Sequence, residues 1–478
     1  MGVSHFRTQK MSLSRRRFAR TFLAAGAAPL FPAGQAGEVA PSSPYPLDHR
    51  PPPALAPAFT LRRLAFGSCC QQHQPAPALA QIAEAAPDLF LWLGDNIYAD
   101  TLDMAKMRAD YRALAAKPEY AKLVATCPAI AVWDDHDYGW NDAGRDYQKK
   151  EESKAIFLEF FNEPAESQRW DTAGIYTSYL LGPEDRRVQI ILPDLRTFRT
   201  VQRTGKRFYP ELGSYTPDPS PDATMLGEEQ WAWLEGQLRI PARLRLIGMS
   251  TQFAPSLNGF ELWHNYPAEQ QRLLQLIRDT RAEGMLFLAG DTHWAELSVL
   301  ESPDLYPLYE LTSSAINQSW DPPGGNSRRL FAAYPHPNFG ILEVDWDRPD
   351  PLILLSASDE EGEAKIHFEL PLSALTFQPE NLAAPESPDA FAGTWQSRFG
   401  TIVFKPQPDG SWIATYGDEG HTCKLTPKSA SLTGTWHEGE RTGTVEFHLA
   451  RHPDHIRGAY GRADGPALLD WACWRTPG

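Results

Sequence analysis

The chain has 478 residues, 42% of them hydrophobic and 11% aromatic, which is enough apolar material for a large core and excludes an intrinsically disordered protein. A formal charge of −15 argues against nonspecific attachment to nucleic acid backbones, so no nucleic acid partner is expected. Five cysteines without a CxxC spacing exclude a zinc finger or a dense disulfide scaffold.

In chain order, the first feature is Ser14-Arg15-Arg16-Arg17-Phe18, followed by the apolar segment Thr21–Phe31 and the small residues around Gly34-Gln35-Ala36. This pattern reads as a twin-arginine export signal over residues 1–36, with the twin-arginine translocon as partner and a periplasmic or secreted destination. The apolar segment is far short of the roughly 20 residues that span a bilayer, and no later segment reaches that length, so no stable membrane span is expected. Residues 1–36 hold six Lys/Arg and no Asp/Glu, so the remainder carries −15 − 6 = −21. Twin-arginine export moves folded chains, which points to a cofactor loaded beforehand, and a metal is the first candidate.

Residues 37–60, rich in Pro and Ala, read as an extended leader. Over 61–375 the runs "LRRLAFGSC", "DLFLWLGD", "AIAVWDDHD", "VQIILPDLR", "RLRLIGMSTQF" and "GMLFLAGDTH" are strand-like, and 150–162, 227–239 and 268–282 are helix-like. Apolar runs without polar alternation belong to strands buried on both faces, so an α/β domain of layered sheets flanked by helices is expected. After a linker at 378–389, strict alternation in "TIVFK", "SWIATY" and "TVEFHLA" predicts a small antiparallel, barrel-like β domain over 388–478. Its internal echo, Gly393-Thr394-Trp395, Gly434-Thr435-Trp436 and Gly458-Ala459-Tyr460, reads as hairpin starts bearing aromatic plugs. Cys423 and Cys473 could pair there, a question the sequence leaves open.

Four of the apolar runs end on groups suited to cations: Ser68-Cys69, Gly94-Asp95, Asp134-Asp135-His136-Asp137 and Gly290-Asp291-Thr292-His293. Open α/β sheets put their chemistry at the carboxyl ends of strands. Carboxylates, imidazole and thiolate together can hold a hard cation beside a softer one, with a carboxylate bridging them. Such a pair activates a water and clamps a phosphoryl group.

These stretches resemble the PhoD-like alkaline phosphatase and phosphodiesterase family of the calcineurin-like metallophosphatases. The likeness covers roughly residues 61–370 and rests on Gly67-Ser68-Cys69, Gly94-Asp95-Asn96-Ile97-Tyr98, Trp133-Asp134-Asp135-His136-Asp137 with Asn141, and Gly290-Asp291-Thr292-His293. The resemblance implies Cys69 and Tyr98 as ligands of Fe3+, Asp95 as the bridge, Asn141 and Asp291 directed to Ca2+, and His293 as a further ligand. It implies an exported phosphoesterase that hydrolyses small or polymeric phosphomonoesters or phosphodiesters by a metal-activated water. His136 is the candidate acid/base at the leaving oxygen, oriented by one of Asp134, Asp135 or Asp137. Arg196 reads equally as a phosphate clamp or as one half of a structural salt bridge. Family members carry an N-terminal β-sandwich for which 37–60 has no room, whereas this chain adds 388–478 at the other end. All proposed ligands precede residue 294, so the catalytic centre is assigned to the first domain alone. Two other readings are a noncatalytic envelope-binding protein with a structural metal and a cysteine hydrolase pairing Cys69 with His136.

Overall fold

The computed structural model describes residues 59–383, 385, 387–463 and 465–475; the proposed export signal and nearly all of the leader lie outside the described residues. Twelve strands build two six-stranded sheets. The first sheet contains β1 (Arg63–Gly67), β2 (Leu89–Leu93), β3 (Ala129–Val132), β10 (Phe339–Asp345), β11 (Leu352–Ser358) and β12 (Ala364–Pro371), in the order β12-β11-β10-β1-β2-β3. The second contains β4 (Thr177–Leu181), β5 (Val188–Leu192), β6 (Leu244–Met249), β7 (Met285–Ala289), β8 (Ala295–Ser302) and β9 (Leu305–Ser313), in the order β4-β5-β6-β7-β9-β8.

In the first sheet β1, β2 and β3 run parallel along one side and β10, β11 and β12 extend it antiparallel, whereas in the second β5, β6, β7 and β9 are parallel and β4 and β8 flank them antiparallel. The six strand-like runs of the first domain are β1, β2, β3, β5, β6 and β7, and the three helix-like stretches are helices Lys150–Phe160, Gly227–Leu238 and Pro267–Thr280. The last starts on Pro267, whose missing N–H costs nothing in a first turn, and stops at Arg281, which takes a left-handed conformation. Every residue of β2, β5, β6 and β7 is buried, as expected where sheets face each other under helices. The sheets meet closely enough that a Cβ on Gly248 of β6 would touch Leu91 and Leu93 of β2. This packing brings the carboxyl ends of β1, β2, β3, β5, β6 and β7 to one edge. No described helix is long and apolar enough to cross a membrane.

The C-terminal strands form an antiparallel barrel. It closes because Arg441–Leu449 pairs with His455–Tyr460, which pairs with Cys473–Trp474, which pairs with the opening strand Gly393–Ser397. Its separate core contains Trp395, Trp412, Trp436, Phe447 and Trp471. The echoed aromatics therefore plug the barrel, but Gly434 and Gly458 lie inside strands and not at hairpin starts. Each sits where a Cβ would collide with a neighbouring carbonyl oxygen, that of Lys424 or Trp471. Cys423 and Cys473, whose pairing the sequence left open, are buried in this core as free thiols.

The barrel is seated firmly on the sheet domain. Arg329, buried on the sheet side, joins Glu296 to Asp470 of the barrel at 2.6 Å, and Arg398 adds a second contact to Asp470 at 3.0 Å. Arg457 pairs with Glu301 at 2.7 Å, and Arg451 donates to the carbonyl oxygens of Ser302, Leu305 and Asn381.

Candidate metal centre

The turns that leave the parallel strands are unusual in backbone. Of the twelve non-glycine residues with positive φ among the described residues, six cluster at this edge: Cys69, Asp95, Asp100, Asp142, Asp291 and His293. Side chains rarely adopt this conformation, and a concentration of it marks a place where geometry is imposed by surroundings. Gly94 has φ +93° and would bring a Cβ to 2.5 Å from Asp134 Cβ, so only glycine lets the β2 and β3 turns approach. Asp137 staples those turns, accepting backbone N–H groups from Asp134 at 2.7 Å, Asp95 at 3.2 Å and Asn96 at 3.3 Å.

Three groups of side chains converge here, each with its donor atoms within 4.8 Å of one another: Cys69, Asp95 and His293; Asp95, Asp135 and His136; and Asp135, Asp142 and Glu261. Asp95 belongs to the first two, and Asp135 links the second to the third. Tyr98 returns from the β2 turn to meet His293, its hydroxyl 2.9 Å from Nε2, and Gln72 fixes that turn by bonding both the N–H and the C=O of Tyr98. The Cys69 Sγ lies 3.2 Å from Ser314 Oγ and 3.5 Å from Asp95 Oδ2.

The electrostatics show acids in excess. Burial pushes the Cys69 thiol up to about 12, and burial reinforced by neighbouring carboxylates raises Asp291 well above the usual range. Burial also raises Asp95, with His136 opposing and Cys69 and Asp135 adding to it. His136 goes the other way: burial disfavours its charge, but Asp95 and the bond to Asp100 outweigh that and push it up to about 11. His293 falls to about 4, through burial and the nearby His136. Asp134 Oδ2 is buried with no hydrogen-bond partner, and Asp135 Oδ1 is met only by the Arg196 guanidinium at 3.5 Å. Such oxygens, a buried thiol and imidazoles around one shared carboxylate are a donor set that fits cations, which would reverse these shifts.

The predicted residues separate in this geometry. Cys69, Asp95, Tyr98 and His293 come together. Arg196 does not face an open cleft: it is fully buried, with Nε 2.5 Å from Asp134 and Nη2 2.6 Å from Glu261 and 3.5 Å from Asp135. Its fork is taken up by carboxylates, so the phosphate-clamp reading is corrected to the salt-bridge one. The orienter of His136 is corrected too, because Nδ1 bonds Asp100 at 2.7 Å and not Asp134, Asp135 or Asp137. Asn141 is exposed at the rim, its backbone N–H donating to Asp100. The Asp291 carboxylate is in none of the three groups, although its carbonyl oxygen lies 3.7 Å from Cys69 Sγ. The Cys69 thiol has serines and Asp95 about it and no bond to His136, which removes the basis of a cysteine hydrolase.

Sequence reasoning missed Asp142, Glu261 and Asp100. Asp142 and Asp100 lie within one or two residues of motifs already singled out, so local inspection had a signal to find. Glu261 had none. It is also already met by Arg196 and Arg199, so Asp135 and Asp142 keep more charge to offer a cation than Glu261 does.

Two mixed sheets packed face to face, with parallel strands ending on one aspartate common to a sulfur–imidazole group and a carboxylate group, define an α/β protein with a candidate two-cation centre. The family model described as PhoD-like phosphatase matches residues 64–336, more than half of the chain, and the chain belongs to that family. It is 23% identical over 303 residues to alkaline phosphatase D of Bacillus subtilis (strain 168), a match covering 55% of this chain and 50% of that protein; the chain thus spans about half the length of this curated relative. Among solved structures, that of PhoD is 18% identical with a TM-score of 0.48, over 66% of this chain and 73% of that one. GAP50, the anchor in the inner membrane complex of Plasmodium, is 13% identical with a TM-score of 0.43, over 65% and 89%.

Proposed function

We propose that the chain is an exported, metal-dependent phosphoesterase that hydrolyses phosphomonoesters, phosphodiesters or both. The observation that carries this reading is the Asp95 carboxylate, which lies in donor groups on both of its sides. Cys69, Tyr98, Asp95 and His293 would hold Fe3+, and Asp95 with Asp135 and Asp142 would face Ca2+, with Asp291 and the rim residue Asn141 as the further oxygen donors that the resemblance implies, oxygen suiting the harder ion. When bound, such cations neutralise the acids, activate a water and clamp the oxygens of a phosphoryl group.

The chain's own residues do the rest. Asp100 holds Nδ1 of His136, leaving Nε2 to hand a proton to the leaving oxygen, and the Tyr98 ring packs 4.4 Å from the imidazole and limits its rotation. Arg196 neutralises Asp134 and Glu261, so that the acid excess is concentrated on Asp95 and Asp135. Export through the twin-arginine translocon, which accepts folded and loaded chains, fits a site assembled from strands far apart in sequence.

The test is turnover of 4-nitrophenyl phosphate and bis(4-nitrophenyl) phosphate by the purified chain, before and after a strong chelator, with metal content measured in parallel. Turnover lost with the metal and regained on adding iron and calcium supports the reading. A chain that hydrolyses neither ester with its metals in place refutes it.

A further inference from the structure

The loop between Arg199 and Thr216 contacts both the carboxylate group and the barrel. At its base Arg199 pairs with Glu261 and donates to the carbonyl oxygen of Asp142, and Gln202 also donates to Glu261. On its return, Tyr215 donates its hydroxyl to the Asp142 carboxylate. Its outer end is held by the barrel: the Tyr209 hydroxyl donates to the carbonyl oxygen of Pro466 at 2.7 Å, Arg462 pairs with Glu211 at 2.6 Å, and Tyr209 and Leu212 pack on Leu469.

Between this loop, residues 257–259 and the barrel lies a cavity of about 210 Å³. Phe208, Tyr215 and Leu257 give it apolar walls, Leu468 of the barrel closes one side, and Lys206 stands at its edge. Tyr215 lines the cavity and its hydroxyl reaches the Asp142 carboxylate, so this one residue joins the cavity to the carboxylate group. The Lys206 ammonium lies over the Phe208 ring at 4.9 Å, and no described carboxylate pairs with it.

We infer that this cavity is the subsite for the alcohol portion of the ester, and that it takes an apolar or aromatic body bearing a second negative group. The inference rests on the phosphoesterase reading for the position of the phosphoryl group. The volume is below the roughly 300–1,000 Å³ of sites for drug-sized ligands, which suits a fragment of one or two rings. An aromatic wall stacks on such a body, and an unpaired ammonium at its edge attracts an anion on it. The barrel is then part of the substrate site, through Leu468 directly and through Tyr209 as the anchor of the loop.

The experiment uses the full chain with its metals and measures binding by calorimetry for inorganic phosphate, 1-naphthyl phosphate and a naphthyl phosphate carrying a ring sulfonate, with kcat/KM for the two esters. Leu468→Trp fills the cavity from the barrel side and is expected to weaken 1-naphthyl phosphate at least tenfold while inorganic phosphate changes less than twofold. Lys206→Glu, on an exposed side chain, is expected to weaken the sulfonated ester at least fivefold more than the plain one, and it decides the question alone if the tryptophan variant misfolds. Parallel loss for phosphate and both esters, unchanged affinities in the variants, or no gain of the naphthyl ester over phosphate in the unaltered chain would overturn the subsite. Binding with these selective losses but without hydrolysis would keep the subsite and remove the phosphoesterase reading; hydrolysis with unaltered selectivity would do the reverse.

Discussion

At the seam with the barrel, Arg329 lies between Glu296 and Asp470, and Asp470 takes a further contact from Arg398, so each buried charge has an opposite within reach. At the carboxyl edge of the sheets, Asp95, Asp134, Asp135, Asp137, Asp142, Glu261 and Asp291 crowd around two guanidinium groups and two imidazoles, of which His136 is favoured as the cation and His293 as the neutral ring. The first arrangement is complete as a protein and fixes how two cores dock. The second is incomplete until positive charge arrives, and an unbalanced buried charge is costly to maintain without a use. Balance, more than burial or charge, distinguishes the structural network from the candidate site.

The largest expected effect falls at the unbalanced edge. Asp95→Asn removes the carboxylate common to two donor groups, and turnover should fall by roughly a thousandfold or more, because the charge that holds and bridges the cations is gone. In chelator the same variant should melt higher than the unaltered chain, since a buried, repelled carboxylate has been neutralised. Calorimetry with and without chelator measures both states. A variant that melts lower in chelator would show that Asp95 is structurally balanced, and the contrast between the two regions would break.

The seam predicts the opposite sign. Arg329→Leu leaves Glu296 and Asp470 buried without their shared partner, and should cost about 3–5 kcal/mol of stability. The loss is read in urea titrations, and changing Glu296 to Gln and Asp470 to Asn in the same chain should recover most of it. Metal content per folded molecule should not change. A third test, at the unbalanced edge, is smaller than either: Tyr98→Phe should bleach the visible absorbance expected of a tyrosinate on Fe3+ and lower kcat/KM by about tenfold, roughly 1.4 kcal/mol. An unaltered visible spectrum would take Tyr98 out of the proposed ligand set.

Much of the unbalanced region was legible in the sequence, and little of the balanced one was. "LFLWLGD" and "GMLFLAGD" announce buried strands and their functional ends within a few residues, because burial on both faces and a terminal acid are local properties. Arg196 was ambiguous for a physical reason: a guanidinium fork suits phosphate and carboxylate alike, and its partner Glu261 is 65 residues away. The seam depends on contacts as long as Arg329 to Asp470, with no periodicity to report them. The edge strands β8 and β12 and the helix Met104–Ala115 were not read, because antiparallel edges and mixed helix faces give weaker patterns than buried parallel runs. The assignment of the whole centre to the first domain followed from ligand positions alone and could not foresee the Arg199–Thr216 loop held by the barrel.

Glu310 offers the smallest and sharpest comparison, because it is buried with neither a guanidinium nor a cation-binding group around it. Its Oε2 accepts the backbone N–H groups of Phe253 at 2.7 Å and Ala254 at 3.2 Å, while Oε1 has no hydrogen-bond partner. Burial pushes its carboxyl up to about 8; the two N–H groups pull against that, and Glu296 adds to it. A carboxyl whose folded value lies above its unfolded one stabilises the fold below the unfolded value and loses that contribution as pH rises through the folded one. The loss from Glu310 therefore develops between about pH 4.5 and pH 8. Glu310→Gln keeps an acceptor for the same N–H groups and cannot ionise. At pH 5 the two chains should melt together within a degree or two, and at pH 9 the variant should melt higher by on the order of 5 °C. Because every other titrating group is common to both chains, the difference between the two melting curves isolates this carboxyl. A constant difference across that range would mean that Glu310 is charged in the folded protein throughout, balanced by the Phe253 and Ala254 dipoles alone, and that two backbone N–H groups can do for a buried acid what Arg329 does at the seam.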